Sequence, residues 1–165
     1  MNHNAYLLLG SNQQSPLLQL QNAKDHLTRY PLRVKKISSQ LETLPYGLTD
    51  QANFWNQILW IETELNPFQL LQITLSIEKT MGRIRQEKWG PRIIDLDWLF
   101  YDQLVLNHEQ LVIPHYDAEN RWFVIHLMME LNPELVFPTL FKTIRTLYEE
   151  KKYYKFYCYN QEKNL

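Results

Sequence analysis

The sequence predicts an α+β fold in which helices pack on the faces of a mainly antiparallel sheet. Short apolar runs typical of strands alternate with longer segments whose apolar residues recur at helical spacing. Their order is β-α-β-β-α-β with helices after it, which is the order of the ferredoxin-like arrangement. The chain has 165 residues, 45% of them hydrophobic, so we expect one domain with a sizeable core over residues 1–165.

The first part of the chain is predicted to hold three strands and a helix. Residues 5–9 form an apolar run that ends at a turn, and we expect the first strand there. A helix is expected over residues 15–31, because Ser15 offers a hydroxyl N-cap and a proline follows at the first helical position. Two strands are then predicted over residues 32–41 and 53–63, and the second is rich in aromatic and β-branched residues.

The middle of the chain is predicted to be a helix, a loop and a strand. Asn66 can cap a helix that begins with a proline, and Gly82 is a suitable stop at its C-terminal end. The polar residues that follow favour a loop. Residues 93–101 are predicted to form a strand, and residues 102–103 a hairpin turn into a short partner strand over residues 104–106.

The last part of the chain is predicted to be largely helical. We expect helices near residues 120–131 and 139–152. Residues 153–165 are aromatic and then polar and give no structural prediction. They include Cys158, the single cysteine, so a disulfide within a monomer is impossible and a reducing cytoplasm is the expected location.

Charge and hydropathy argue against several classes of function. The formal net charge of −1 provides no global basic field for nucleic acid or an anionic membrane. The apolar run near the N-terminus has five residues and no basic region before it, which is unlike a signal peptide. No segment approaches the about 18 consecutive apolar residues of a membrane span. We therefore expect a soluble protein without nucleic-acid or membrane partners.

The stretch KWGPRIIDLDWLF holds two carboxylates inside an apolar strand. Asp95 and Asp97 lie two residues apart, so they share one face and their backbones are about 7 Å apart. Mg²⁺ would relieve their repulsion, because it prefers carboxylate oxygens and keeps waters and phosphates as further ligands. The pair predicts a metal–phosphate site, and the alternative is that both side chains point to solvent. The opposite face is expected to be continuous and apolar: Ile94, Leu96, Trp98 and Phe100.

Basic residues crowd the segment before this pair: Arg83, Arg85, Lys88 and Arg92. Phosphoryl transfer uses such cations to neutralise phosphate oxygens, although the same run could be an ordinary solvated loop. Glu78 falls within the apolar arc of its helix, and it either faces the same cleft or snorkels at the arc's edge. No G-x-x-x-x-G-K-[ST] motif is present, and Gly10-Ser11-Asn12 is too short to be assigned as a phosphate loop.

Several further motifs complete the pattern: AYLLLGSN, ETLPYG, FWN, GRIR, WGPRIIDLD and VIPHYDAENRWF. The spacing R-x-x-D-L-D followed by P-H-x-x-x-x-x-R is highly specific. Over about residues 4–138 the chain resembles the 6-hydroxymethyl-7,8-dihydropterin pyrophosphokinase family of folate biosynthesis. The resemblance implies transfer of the β,γ-pyrophosphoryl group of ATP to the hydroxymethyl oxygen of a reduced pterin, leaving AMP.

The resemblance also implies roles for individual residues. Asp95 and Asp97 would hold two Mg²⁺ ions, and Arg83 and Arg92 would act with them as catalytic residues. The residues implied to bind ATP are Leu71, Glu78, Arg85, Lys88, Trp98, Leu111, His115, Tyr116 and Arg121. Those implied to bind the pterin are Thr43, Leu44, Tyr46, Phe54, Asn56, Trp89 and Phe123. Without the resemblance, His115 would be an ordinary loop residue and the aromatic residues would be core packing.

The chain departs from the family pattern at several positions. Gln110 stands where arginine is familiar, Val112 where a hydroxyl residue is familiar, and Phe54 where tyrosine commonly stacks on the pterin. The loop between Arg85 and Trp89 is shorter. These departures bear on ATP affinity more than on the chemistry.

Two other functions compete with this interpretation. A ferredoxin-like module could bind single-stranded RNA through the basic run and exposed aromatic residues, although the acidic pair and the near-neutral charge argue against it. A catalytically inactive relative could bind nucleotide or pterin as a sensor. A search for AMP as product separates all three functions.

Overall fold

A five-stranded antiparallel sheet organises the computed structural model, which describes residues 2–45, 49–84 and 90–151. Its strands are β1 (His3–Ser11), β2 (Leu32–Ile37), β3 (Leu41–Thr43), β4 (Phe54–Thr63) and β5 (Asp95–Tyr101). β1 lies between β4 and β5, and β2 and β3 pair with β4 along its other edge. The predicted α+β fold and its β-α-β-β-α-β order are confirmed.

Helices cover both faces of the sheet. On one face, α1 (Pro16–Leu27) and α2 (Pro67–Thr80) pack on a cluster of buried apolar side chains. On the other face, α3 (Trp122–Leu131) and helical residues 144–151 pack on a second cluster. Two small hairpins complete the described chain: β6 (Leu106–His108) with β7 (Leu111–Ile113), and β8 (Val136–Phe137) with β9 (Lys142–Thr143). No helix in these described ranges is long and apolar enough to cross a membrane.

The two predicted helix caps have different outcomes. Asn66 Oδ1 accepts a hydrogen bond from the Gln69 backbone N–H at 3.0 Å, and Gln69 Oε1 accepts from the Asn66 N–H at 2.9 Å. This capping box confirms the predicted start of α2. Ser15 is in the left-handed region, with φ 62°, and its hydroxyl makes no capping bond. The predicted hydroxyl cap of α1 is therefore wrong, because such a cap needs extended backbone. α1 also ends earlier than predicted, at Leu27.

The strand predicted over residues 32–41 is two strands. Ser38 interrupts it: its N–H donates to the Ile58 carbonyl at 3.0 Å, and its hydroxyl oxygen accepts from the Ile58 N–H at 2.9 Å. The side chain thus takes the place of a backbone acceptor in the ladder with β4. β2 ends before Ser38, and β3 pairs with β4 again from Leu41.

A bulge in β5 breaks the predicted alternation of its side chains. The pairing with β1 shifts at Leu99, which is an extra residue between the paired Trp98 and Phe100. Trp98 therefore packs under α1 and α2, whereas Phe100 packs in the opposite cluster. The predicted continuous apolar face is wrong at Phe100, because one extra residue reverses the facing of the side chains that follow.

The segments after β5 also differ from the prediction. Residues 104–106 were expected to pair with β5, but Leu106 instead begins β6, which pairs with β7. The final helix begins at residue 144, because the β8–β9 hairpin occupies part of the predicted span. The helix predicted near residues 120–131 is confirmed as α3.

Candidate active site

Three neighbouring strands place Gly10 between an amide and a carboxylate. Gly10 in β1 pairs with Asn56 in β4 on one side and with Asp95 in β5 on the other. A Cβ at Gly10 would lie 3.2 Å from Asn56 Oδ1 and 4.0 Å from Asp95 Cβ. The first distance is tighter than ordinary van der Waals contact. The missing side chain therefore leaves an open floor between Asn56 and Asp95.

A cavity lies over this floor, on the sheet face that α3 covers further along. Its lining residues are Leu8, Gly10, Thr43, Leu44, Phe54, Asn56, Arg92, Asp95, Asp97, Arg121 and Phe123. All of them except Leu8 and Gly10 are site residues expected from the sequence. One cavity thus joins residues expected to bind the pterin with those expected to bind metal and phosphate.

The residues expected to bind the pterin include an amide held in place and two aromatic rings that line the same cavity. Asn56 is 5% exposed, and its Nδ2 donates to Thr43 Oγ1 at 2.8 Å. The pairing of β3 with β4 sets Thr43 opposite Phe54. Phe123, near the start of α3, lines the same cavity. An amide held in one orientation can present a donor and an acceptor to the edge of a flat heterocycle.

Both carboxylate oxygens of Asp95 contact arginines. Arg83 Nη1 lies 2.5 Å from Asp95 Oδ1, and Arg92 Nη1 contacts Asp95 Oδ2. All three side chains are largely shielded from solvent. Two guanidinium groups therefore neutralise one carboxylate.

Glu78 joins α2 to the strand that carries the aspartates. Its Oε1 accepts a hydrogen bond from the Leu96 N–H at 2.8 Å and contacts Arg83 Nη1. Burial raises the pKa of Glu78, and Arg83 opposes that rise. Because Leu96 lies between Asp95 and Asp97, Glu78 supports the strand backbone at the site. The side chain is 5% exposed, so it faces inward and does not snorkel.

Asp97 is neutralised less completely than Asp95. Burial and the nearby Asp95 carboxylate raise the pKa of Asp97 to about 7, against the effect of Arg121. His115 Nε2 lies 3.8 Å from Asp97 Oδ2. Burial and Arg121 lower the pKa of His115 to about 4, so its ring is neutral at pH 7. Its Nδ1 accepts from the Asp117 N–H at 3.2 Å, which leaves the ring proton on Nε2, facing Asp97.

Arg121 is oriented by the turn that precedes α3. Its Nε donates to Asp117 Oδ2 at 3.0 Å, and Asp117 Oδ1 accepts from Asn120 Nδ2 at 3.1 Å. The Arg121 side chain is 14% exposed and lines the cavity. The turn thus presents a cation to the same cavity as Asp97.

A second cavity of about 550 Å³ lies beside α2, a volume typical of small-molecule sites. Its lining residues are Leu71, Gln72, Leu75, Glu78, Lys79, Arg83, Glu109 and Gln110. It shares Glu78 and Arg83 with the ion pairs around Asp95. Two residues expected to bind ATP, Trp98 and Leu111, are not part of this lining, because both are buried in the apolar cluster under α1 and α2. Tyr116 is exposed and its ring lies at a tilt against that of His115, with 4.5 Å between ring centroids.

Some expected site residues lie outside the described residues: Tyr46, Arg85, Lys88 and Trp89. The C-terminal residues 153–165 lie outside them as well. Sequence reasoning missed Gly10 and Leu8 as parts of the cavity. Their signal was the alternation of β1, which sets both on the face that carries the aspartates in the neighbouring strand.

The donor set fits Mg²⁺ better than a metal that needs an all-protein cage. Within residues 2–45, 49–84 and 90–151, no group of three or more His, Cys, Asp or Glu side chains could hold a metal alone. Asp95 and Asp97 line one cavity together with arginines. Mg²⁺ binds through one or two carboxylates plus substrate phosphates, whereas zinc sites use three or four protein ligands.

Comparison with known sequences gives a consistent result. The model of the 7,8-dihydro-6-hydroxymethylpterin-pyrophosphokinase (HPPK) family matches residues 6–133. A 2-amino-4-hydroxy-6-hydroxymethyldihydropteridine pyrophosphokinase of Methylorubrum extorquens is 44% identical over 133 residues, which cover 80% of this chain and 84% of the relative. An enzyme of the same name from Haemophilus influenzae is 40% identical over 135 residues, which cover 81% and 84%.

Comparison with solved structures supports the fold. The crystal structure of wild-type Plasmodium falciparum HPPK-DHPS with pterin and p-hydroxybenzoate matches with a TM-score of 0.75 at 19% identity, over 97% of this chain and 45% of that one. The wild-type protein with pteroate gives a TM-score of 0.73 at 17% identity, over 94% and 44%. The chain spans less than half the length of these solved chains. At such identity the likeness concerns the fold alone.

Proposed function

The chain belongs to the 7,8-dihydro-6-hydroxymethylpterin-pyrophosphokinase family, and we infer that it transfers the pyrophosphoryl group of ATP to 6-hydroxymethyl-7,8-dihydropterin in folate biosynthesis. The hydroxymethyl oxygen forms a bond to the β-phosphorus of ATP. The bond from that phosphorus to the α,β-bridging oxygen breaks, AMP leaves, and the hydroxyl proton is released. The observation that carries this inference is one cavity in which an amide side chain and two aromatic rings lie beside a cluster of aspartates and arginines.

Asp95 and Asp97 are the proposed ligands of two Mg²⁺ ions. When bound, such a pair of ions stabilises both the attacking and the leaving oxygens of an in-line displacement. The support in this chain is the shared cavity, the spacing of two residues and the partial burial of Asp97, whose side chain is 31% exposed, beside another carboxylate.

Arg83, Arg92 and Arg121 supply the cationic lining for the phosphates. Arg83 and Arg92 already contact Asp95, so a small movement brings their guanidinium groups from the carboxylate to phosphate oxygens. Such groups stabilise charge as it develops on the transferred phosphates. His115 adds a neutral donor from Nε2, because its other ring nitrogen accepts from the Asp117 N–H.

The pterin lies over Gly10 in this proposal. Asn56, held by Thr43, hydrogen-bonds the edge of the heterocycle, while Phe54 and Phe123 contact its faces. The hydroxymethyl group then points toward Asp95, because Gly10 in β1 lies between Asn56 in β4 and Asp95 in β5. The cavity beside α2 takes the nucleoside part of ATP, with Leu71 in its lining and Arg83 between the two cavities.

The remaining parts of the proposal concern the whole molecule. We expect one catalytic domain that works as a monomer in the cytoplasm, without nucleic acid or membrane partners. The near-neutral charge supports the absence of nucleic-acid and membrane partners, and the single cysteine supports a reducing compartment. A dimer mass in light scattering would contradict the monomer.

Product analysis tests the proposed function. The protein is incubated with ATP, Mg²⁺ and 6-hydroxymethyl-7,8-dihydropterin, and the nucleotides are separated by chromatography. We expect AMP and the pterin diphosphate in equal amounts. Formation of ADP, or no nucleotide product, would contradict the inference and favour a phosphoryl kinase, a sensor or an RNA-binding module.

A further inference from the structure

Asn12, directly after β1, connects three separate segments of the chain. Its Nδ2 donates to Gln51 Oε1 at 2.9 Å and to the Ala52 carbonyl at 3.0 Å. Its Oδ1 accepts from the Arg92 backbone N–H at 2.8 Å, and its own N–H donates to the Arg92 carbonyl at 3.1 Å. Asn12 is 6% exposed, so these bonds are shielded from water.

The neighbouring Ser11 extends this attachment. Its hydroxyl donates to the Ile93 carbonyl at 2.6 Å, and the residue is fully buried. Regular pairing of β1 with β5 reaches Asp95, and the bonds from Ser11 and Asn12 continue it to residues 93 and 92. The backbone on the N-terminal side of β5 is thereby fixed relative to β1.

These bonds fix the position of the Arg92 backbone, from which its side chain extends. Its backbone is held on both sides by Asn12, while its guanidinium contacts Asp95 and lines the cavity. A shift of the backbone would move the guanidinium by a similar distance. Catalytic rates respond strongly to such shifts, since a misplacement of about 1 Å can cost about 100-fold.

The other side of Asn12 leads to the pterin pocket. Ala52, which accepts from Asn12, precedes Phe54 by two residues, and Phe54 lines the cavity. Asn12 therefore bridges the segment just before Phe54 and the segment that carries Arg92. Neither its amide nor its backbone lines the cavity.

We propose that Asn12 is a positioning residue that fixes Arg92 relative to the segment that carries Phe54, so that the phosphate and pterin halves of the cavity keep their spacing. The proposal rests on the proposed function. It differs from a purely structural role, in which Asn12 stabilises a turn and its loss lowers stability without acting through the Arg92 guanidinium.

A double-mutant cycle separates these two roles. We expect Asn12→Ala to lower kcat by about 10- to 100-fold with a smaller change in the KM for ATP. In an Arg92→Ala background the same substitution should change kcat less than about twofold, because no guanidinium remains to be positioned. Equal fold losses in both backgrounds, or an unchanged kcat in Asn12→Ala, would overturn the proposal.

Two further variants keep the test decisive. Asn132→Ala is a matched control, because its Nδ2 donates to the Tyr6 hydroxyl at 2.9 Å and neither residue lines the cavity, and it should lower the melting temperature without changing kcat. Gln51→Ala removes one of the two acceptors of Asn12 Nδ2 on the side of Phe54 and leaves both bonds to Arg92, so we expect a higher KM for the pterin with kcat within about threefold of wild type. If Gln51→Ala lowered kcat as much as Asn12→Ala does, the bonds of Asn12 to Gln51 and to Arg92 would not have the separate effects proposed here.

The unmodified protein distinguishes this proposal from the function on which it rests. If it forms no AMP, the proposed function fails. If it forms AMP and the cycle is additive, only the role of Asn12 fails. Should Asn12→Ala fail to fold, Gln51→Ala alone still tests the contact on the pterin side.

Discussion

Replacing His115 with glutamine is expected to make the protein less sensitive to mild acid. The folded protein keeps this ring neutral, because burial and Arg121 lower the pKa of His115 to about 4. Unfolding exposes the ring and restores an ordinary pKa near 6.5. Below that value the unfolded chain binds a proton that the folded chain does not, so this group destabilises the fold as pH falls from about 6.5 to 4.

The size of the effect follows from the two pKa values. At pH 8 the ring is neutral in both states and contributes almost no pH-dependent free energy. At pH 5 the unfolded ring is almost fully protonated and the folded ring is about one-tenth protonated, which gives about 2 kcal/mol. His115 is 12% exposed, so solvent screening reduces this value little. For a domain of this length, 2 kcal/mol corresponds to a shift in melting temperature of about 4–8 °C.

The assay is thermal unfolding of the wild-type protein and His115→Gln at pH 8 and pH 5, with a chelator present. Lost packing or hydrogen bonding in the variant affects both pH values, so the pair at pH 8 serves as the control. We expect the wild-type protein to lose about 4–8 °C more than the variant between the two pH values. Equal losses in the two proteins would refute a buried neutral His115.

Three further substitutions test other parts of the site. Gly10→Ala places a Cβ 3.2 Å from Asn56 Oδ1, so the KM for the pterin should rise at least about tenfold while the KM for ATP changes little. Equal rises in both KM values would contradict the idea that Gly10 leaves space for the pterin. Asp97→Asn should abolish AMP formation and Mg²⁺ binding measured by calorimetry. In chelator it should melt no lower than wild type, because the raised pKa of Asp97 means that its negative charge destabilises the folded state above about pH 4. A lower melting temperature would show that the charge stabilises the fold instead. Arg92→Ala should lower kcat, but without nucleotide it should bind Mn²⁺ about tenfold more tightly, since Asp95 loses a guanidinium that competes with the metal. Weaker Mn²⁺ binding would refute this competition between Arg92 and the metal.

The sequence predicted the order of elements better than their interruptions. Period and capping signals identified β4 and α2 closely, because Asn66 and Gln69 form a local capping box. The break at Ser38 and the bulge at Leu99 were missed. Both depend on pairing with a neighbouring strand, which periodicity along one strand cannot reveal.

The aspartate pair was accessible from the sequence, whereas its surroundings depend on tertiary contacts. Alternation placed Asp95 and Asp97 on one face, and both line one cavity. Gly10 and Asn12 were noted only as part of a turn. Their importance comes from contacts with segments 39 or more residues away in sequence, and no local pattern encodes that proximity.

The two aspartates differ electrostatically, and this difference bears on how cations and nucleotide enter. Asp95 contacts two arginines, whereas Asp97 lies beside the neutral His115, and the charge of Arg121 only partly offsets the burial and the carboxylate repulsion that raise the pKa of Asp97. If the two aspartates hold metal as proposed, a lone cation competes with two guanidinium groups at Asp95 but not at Asp97. ATP changes this balance, because its phosphates offer the arginines an alternative anion. Complete metal loading should accordingly require nucleotide, and the same exchange would place Arg92 on the phosphates when the reaction begins.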